Sequence, residues 1–438
     1  MSSVLNSRVA VCALAVMGLS AGVANTANAA DLGGNCCADL EERIAELEAT
    51  TARKGNRKVS LEISGHVNEA ILFWDDGTES NAGVYTNDNA RTRVRFKGDA
   101  KINSDLKAGY LIEIGIRSAN SKRFTQDDDN GEGATALDLR HSVWYLDSKS
   151  MGRVWLGLTG GAAEGVTEVN QAATKDVAKY SDVEDSGLGL FMSVDSNRTT
   201  TSWRRLIRGG GDQPGEGRRH NLVRYDTPEI AGFKATASWG EDDVWDAGLH
   251  YKGEIGDFKL AAAIAYGETT DASGETGFQC IGNSPTKDAD CEQLGGSLSV
   301  MHAPTGIYVN FASGYMKDNL IGQDTGFDGG AVEDRHTFYA GEVGIEQKWN
   351  ALGKTTLYGQ YYRNNGGSQD RGFNGAGDIV DSELTAWGGG VIQGIDAAAM
   401  HVYLTYRHYE ADVTAGANLT QFNVDDLDVV MGGAIIRF

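Results

Sequence analysis

Beyond residue 58 the chain alternates apolar and polar positions. Val59, Leu61 and Ile63 are interleaved with Ser60, Glu62 and Ser64, and Leu106, Ala108, Tyr110, Ile112, Ile114 and Ile116 with Lys107, Gly109, Glu113 and Arg117. Trp245, Ala247, Leu249 and Tyr251 alternate with Asp246, Gly248, His250 and Lys252, and Val402, Leu404 and Tyr406 with Tyr403, Thr405 and Arg407. A period of two sends successive side chains to opposite faces of a strand. Each segment has roughly ten residues, the length of a strand that crosses a bilayer at a tilt. About sixteen such segments occur, one face apolar and the other polar.

The connections alternate as well. Asn103-Ser104, Ser148 to Gly152, Pro228 to Ala231, Glu254 to Gly256, Ala303 to Thr305, Asn350 to Gly353 and Gly394-Ile395 are tight, whereas 75–90, 119–136, 161–218, 268–293 and 318–335 are long and polar. Gly240 to Asp243 is a short exception on the long side. Short turns at one rim and long loops at the other predict an all-β fold, a transmembrane antiparallel β-barrel of about 16 strands spanning 58–438. The last segment, Asn423 to Phe438, ends on an aromatic ring, expected at a membrane interface. Its Ile436, Ala434, Gly432 and Val430 face is apolar and small, as a lipid or subunit contact would be. On the other face Arg437 fits a wet lumen, but Ile435 and Met431 do not. Trp74, Trp144, Tyr145, Trp239, Tyr315, Trp349, Tyr361, Tyr362, Tyr409 and Phe438 fall toward strand ends, as the aromatic girdles of such a barrel do.

Residues 1–30 break this pattern: Arg8, an apolar run from Val9 to Ala24 and the small residues Ala27 to Ala30 read as a cleaved signal peptide. A G-x-S-x-G match, Gly18 to Gly22, lies inside that segment and carries no hydrolase meaning. Residues 31–57 form a periplasmic segment in which Leu40, Ile44 and Leu47 recur at helical spacing among glutamates. This short amphipathic helix reads either as a coiled-coil or subunit contact or as a frayed leader.

Composition changes the picture little. The net charge of −22 disfavours nucleic acid, and the mean hydropathy of −0.34 disfavours a helical membrane protein but not a barrel. Of five cysteines, Cys280 and Cys291 bracket a polar segment and are disulfide candidates in an oxidising compartment. Cys36 and Cys37 are adjacent, which leaves intermolecular pairing or free thiols open. Neither H-E-x-x-H nor C-x-x-C occurs, and Asp127 to Gly131 fails as a calcium loop because Gln126 and Leu137 stand where ligands are needed. No catalytic group, metal or cofactor is expected.

The candidate chemistry is a pore. Arg91, Arg93 and Arg95 lie at spacing two, so they project from one face as a ladder, which Arg140 extends. An arginine on the lipid face near mid-membrane costs about 2–4 kcal/mol, which directs the ladder inward. The longest connection, 161–218, carries Asp182, Glu184 and Asp185 in its first half and Arg204, Arg205 and Arg208 in its second. Folded into a lumen it would set acidic groups opposite a cationic wall and select solutes by charge and size.

The run Cys36-Cys37-Ala38-Asp39-Leu40-Glu41-Glu42-Arg43-Ile44, continuing to Arg57-Lys58-Val59, resembles the N-terminus of the alphaproteobacterial porin family. Arg95-Phe96-Lys97-Gly98, Arg140-His141-Ser142 and the terminal Phe438 are also similar to that family. The resemblance implies a sixteen-stranded outer-membrane porin, homotrimeric, passing small hydrophilic solutes and ions by passive diffusion, with its third long loop in the lumen. It matches Arg91, Arg93, Arg95 and Arg140 to the basic wall, and places Asp182, Glu184 and Asp185 in the constriction loop. Partners would be outer-membrane lipid and lipopolysaccharide. The loop is long for the family and has its own arginines, which leaves the sign of ion selectivity open. The alternatives are a substrate-specific porin for a sugar or anion and, from another class, an outer-membrane hydrolase.

Overall fold

The computed structural model describes residues 58–117, 119–130, 137–207, 212–270, 280, 289–321, 332–367 and 372–438. The signal peptide, the amphipathic helix, Cys36, Cys37 and Arg208 lie outside the described residues.

Alternation of this kind can bury only one face per strand, and closing the sheet on itself leaves no unpaired edge. The strands are β1 (Glu62–Asp75), β2 (Arg93–Lys101), β3 (Leu106–Ile116), β4 (Leu137–Ser148), β5 (Gly152–Gly160), β6 (Arg219–Asp226), β7 (Phe233–Gly240) and β8 (Trp245–Ile255). They continue as β9 (Phe258–Thr269), β10 (Cys291–His302), β11 (Ile307–Asp318), β12 (Arg335–Gln347), β13 (Thr355–Asn365), β14 (Ile379–Ile395), β15 (Met400–Ala415) and β16 (Leu427–Arg437). Each pairs antiparallel with its neighbours, and β1 pairs with β16 from His66↔Arg437 to Asp75↔Asp428, which closes a sixteen-stranded barrel. Among the described residues, helical structure is confined to short 3-10 turns.

The period of two is visible in exposure. Along β11, Ile307, Val309 and Phe311 are 50%, 51% and 52% exposed, while Tyr308, Asn310 and Ala312 are buried. Connections 102–105, 149–151, 227–232, 256–257, 303–306, 348–354 and 396–399 lie at one end, and the longer ones, together with the short 241–244, at the other.

Near the first hairpin the wall is interrupted. Ser80–Thr86 pairs with the upper half of β1, the chain turns inward at Asp88–Ala90, and pairing resumes at β2. Cys280 and Cys291 form a disulfide with Cα atoms 5.9 Å apart, tying the loop before β10 to its first residue.

One expectation needs correction. Trp144, Trp239, Trp349, Tyr361 and Phe438 are exposed outward, but Trp74, Tyr145, Tyr362 and Tyr409 are buried inside the barrel and belong to no girdle. On the inward face of β16, Arg437 is half-buried and pairs with Asp176 at 2.6 Å, whereas Leu427, Val429, Met431 and Ile435 are buried in one apolar cluster with Val183, Leu188 and Trp203 of the long loop. The loop covers that stretch of wall, so apolar side chains there are shielded from water.

Candidate functional site

Cross-strand partners share a face. On β1, Asn68 points inward, where its Nδ2 donates to the Asp176 carbonyl of the long loop at 3.3 Å. His66 and Ser64 share that face, and the register sets them opposite Arg93 and Arg95, so both arginines point into the lumen. Their counter-ion is Glu113 of β3, fully buried. Its carboxylate accepts from Arg95 Nε at 2.7 Å, Arg93 Nη1 at 3.3 Å and Arg140 Nε at 2.7 Å. Arg91, just before β2, donates to Asp138 at 2.8 Å and pairs with Asp88 at 3.0 Å, and Arg117 reaches Asp138 at 3.2 Å. Five arginines (91, 93, 95, 117, 140) thus meet three carboxylates (88, 113, 138), an excess of two positive charges on this wall.

The loop 161–218 lies against the inner wall of the other strands, seated on inward polar groups. The buried Asp246 of β8 accepts from the Ala162 and Ala163 amides at 2.9 and 2.8 Å. Ser297 and Ser299 of β10 accept from Val169 and Gln171, and Glu342 of β12 accepts from Thr174 Oγ1 at 2.8 Å. On β15, Arg407 donates to the carbonyls of Lys179 and Val183, and Tyr409 Oη to those of Val183 and Ser186 at 2.9 Å. The inward turn beside β1 completes the seat: Asn87 Nδ2 donates to the Val177 carbonyl at 2.9 Å, and Asn89 Oδ1 accepts from the Lys179 amide at 2.8 Å. These contacts pass the loop across the lumen toward the strands that bear the arginines.

The loop carboxylates do not stand in open water. Asp182, Glu184 and Asp185 are buried. Lys122 Nζ bridges Glu184, Asp185 and Asp212 at 3.2, 3.4 and 3.1 Å, and Lys179 Nζ bridges Glu168 and Asp182 at 2.6 and 2.7 Å. Burial penalises the charged form and pushes Glu168 up to about 8, helped by the neighbouring Asp182. Burial likewise lifts Glu184 well above the usual carboxylate range and Asp185 to about 6. Against its own burial, Lys179 holds Asp182 below that range. The acidic count read from sequence therefore overstates the charge facing the arginines.

A pH dependence follows. A loop displaced into water has ordinary glutamates, near 4.5, whereas docked Glu168 sits at about 8. Between these values the docked loop binds the extra proton, so docking weakens as pH rises through about 8. Single-channel records should show more flicker above that pH than at pH 6; identical noise at both would count against it.

Arg204 and Arg205 lie half-buried on the turn Trp203–Leu206, whose Trp203 and Leu206 are fully buried. Phe438 is tied to Gly65 by two backbone hydrogen bonds of 3.0 and 3.1 Å, with its ring outward and 61% exposed. Sequence reasoning missed Glu113, Lys122, Lys179, Asp246, Glu342 and Arg407. A usable signal existed for Glu113 and Glu342, charged residues at mid-strand whose parity points inward.

A family model described as Gram-negative porin matches residues 12–425. An anion-selective porin from Comamonas acidovorans is 16% identical over 87% of this chain and 100% of its own, with a TM-score of 0.54. The outer membrane channel DcaP of Acinetobacter baumannii is 14% identical over 89% and 100%, with a TM-score of 0.51. OmpT of Vibrio cholerae, in its trimer form, is 14% identical over 87% and 99%, with a TM-score of 0.51. At these identities the likeness establishes the fold. Comparison with curated proteins returned no match.

Proposed function

The chain belongs to the Gram-negative porin family and forms a non-enzymatic outer-membrane diffusion channel, and from that premise we propose which residues border its path. The arginine wall of β2 to β4 and the docked loop flank the narrowest section, through which small hydrophilic solutes and ions pass passively. The observation that carries this is the seating of 161–218 on inward polar groups of β1, β8, β10, β12 and β15, with Arg91, Arg93, Arg95 and Arg140 on the remaining wall. Arg204 and Arg205, and Asp182, Glu184 and Asp185 behind their lysines, shape the loop side of that section.

The reading extends to a homotrimer, which the trimeric form of a related fold supports. Export rests on the basic, apolar and small-residue pattern of the 1–30 segment, and an alphaproteobacterial origin on the residues that resemble that family. A second reading, an anion-specific porin, is favoured by the excess of two positive charges on the arginine wall. Conductance that saturates with one solute would support it, and conductance proportional to salt would support the general channel.

Planar-bilayer recording in a salt gradient tests the assignment. A unit charge about 5 Å from the path in water changes an ion's energy by about 0.8 kcal/mol, a factor of about four in local concentration. Arg91→Gln/Arg93→Gln/Arg95→Gln is expected to shift the reversal potential toward cation preference by several-fold in permeability ratio. An unchanged potential would show that these side chains do not border the path.

A further inference from the structure

At the short-turn end, the foot of the long loop from Gln171 to Asp176 and the inner wall of β12 to β16 border a cavity of about 310 Å³. Strand parity supplies its wall side chains. Glu346, Thr356, His401 and Arg437 share faces with the buried, inward Glu342, Tyr358, Tyr403 and Ile435. Among the described residues the lining holds no Phe, Tyr or Trp, so it suits neither a nucleobase nor an apolar ligand.

Three carboxylates line the cavity, and each already has a cation. Asp176 pairs with Arg437 at 2.6 Å, Glu346 with Lys354 at 2.9 Å, and Asp396 with Lys348, which stands outside the cavity, at 2.9 Å. Lys175, exposed at the cavity edge, has no carboxylate within ion-pair distance among the described residues. Four cations (175, 348, 354, 437) against three carboxylates (176, 346, 396) leave one positive charge in excess.

His401 adds a neutral donor. Its Nδ1 is buried without a partner, and a sealed N–H that finds no acceptor is costlier than an idle lone pair. The ring proton therefore belongs on Nε2, the nitrogen left to face the cavity. Acceptors remain as well. Glu346 is filled by Lys354, the Ala173 amide and Thr356 Oγ1, whereas Asp176 and Asp396 are each bound through Oδ2 and keep Oδ1 for a further donor.

We propose that this cavity is a subsite for a small hydroxylated monocarboxylate of sugar-acid size. The ligand carboxylate meets Lys175 Nζ and His401 Nε2–H, and its hydroxyls donate to Oδ1 of Asp176 and Asp396. A neutral sugar leaves Lys175 without a counter-charge, and a dianion exceeds the single positive charge on offer. The inference rests on the diffusion-channel reading and adds to it a second selective point, on strands other than those of the arginine wall.

The test uses gluconate, with glucose as its neutral counterpart, on the unaltered protein, Lys175→Gln and Lys175→Arg. Planar-bilayer records give the gluconate concentration that half-blocks the current, and saturation-transfer NMR of detergent-solubilised protein reads contact with gluconate without conduction. Lys175→Gln is expected to raise the half-blocking concentration about three- to five-fold, the effect of one partly exposed charge, and to weaken the NMR signal. Its conductance at high salt, where screening hides a single charge, should match that of the unaltered protein. Lys175→Arg should keep the block, and His401→Leu should weaken the NMR signal as Lys175→Gln does. An equal half-blocking concentration in Lys175→Gln, or glucose that blocks as well as gluconate, would overturn the subsite. Unaltered protein that passes no ions would defeat the channel reading, and the NMR arm then decides the subsite alone: a gluconate signal that depends on Lys175 upholds it, and one that is absent or indifferent to Lys175 overturns it.

Discussion

Arg407→Ala is expected to release the constriction loop and raise single-channel conductance. The side chain is buried on the inward face of β15, where it donates to the Val183 carbonyl at 3.4 Å, Ser186 Oγ at 3.1 Å and Gln360 Oε1 at 3.0 Å, and to the Lys179 carbonyl. It therefore joins three residues of the loop to two strands, β13 and β15. Hydrogen bonds to a charged group are worth about 1.5–3 kcal/mol each, and a buried carbonyl left without a donor costs about 1–3 kcal/mol. Tyr409 still serves the Val183 carbonyl, so the whole set does not vanish, and a loss of about 3–5 kcal/mol in loop docking is expected. The barrel itself should survive, because the ladder between β14, β15 and β16 is backbone-made and extends over the whole of β15. Larger, noisier conductance in a protein whose heat stability on gels is little changed would fit. A normal open level would mean that the loop is held without Arg407.

The second large effect is expected for Glu113→Gln. That carboxylate lies fully buried among Arg93, Arg95 and Arg140, and removing one partner of a buried ionic group costs about 3–5 kcal/mol because the remaining charges face one another. The amide is nearly isosteric and can still accept one guanidinium, so the variant should fold with lower thermal stability. It should also become more anion-preferring, the opposite sign to the arginine substitutions. Opposite shifts from Glu113→Gln and from Arg91→Gln/Arg93→Gln/Arg95→Gln would place both on one path. Shifts of the same sign would mean that reorganisation of the wall, not its charge, dominates.

Local patterning supplied the architecture. Alternation needs no knowledge of partners, since a residue such as Phe311 or Val309 must leave water whichever strand lies beside it, and the lengths of the connections order the strands around the ring. The inward direction of Arg93 and Arg95 follows from the same parity, because the lipid face rejects charge. The girdle assignment failed for Tyr145 and Tyr409 because position along the strand was read and parity was not. Met431 and Ile435 looked out of place in a lumen only while the lumen was imagined as water throughout.

What the amino-acid order determined by itself is therefore everything that depends on a residue and its immediate neighbours: strand, turn, face, and the sign of the charge carried on each face. What only the tertiary structure decided is where the long loop lies and which charges it brings together. Lys122 meets Glu184 across 62 positions of chain and Arg407 meets Lys179 across 228. Contacts over such separations leave no periodic trace, because they are chosen by the closed shape of the barrel and by the need of each buried polar group for a partner. That need turned an apparently open acidic loop into a buried, lysine-bridged one.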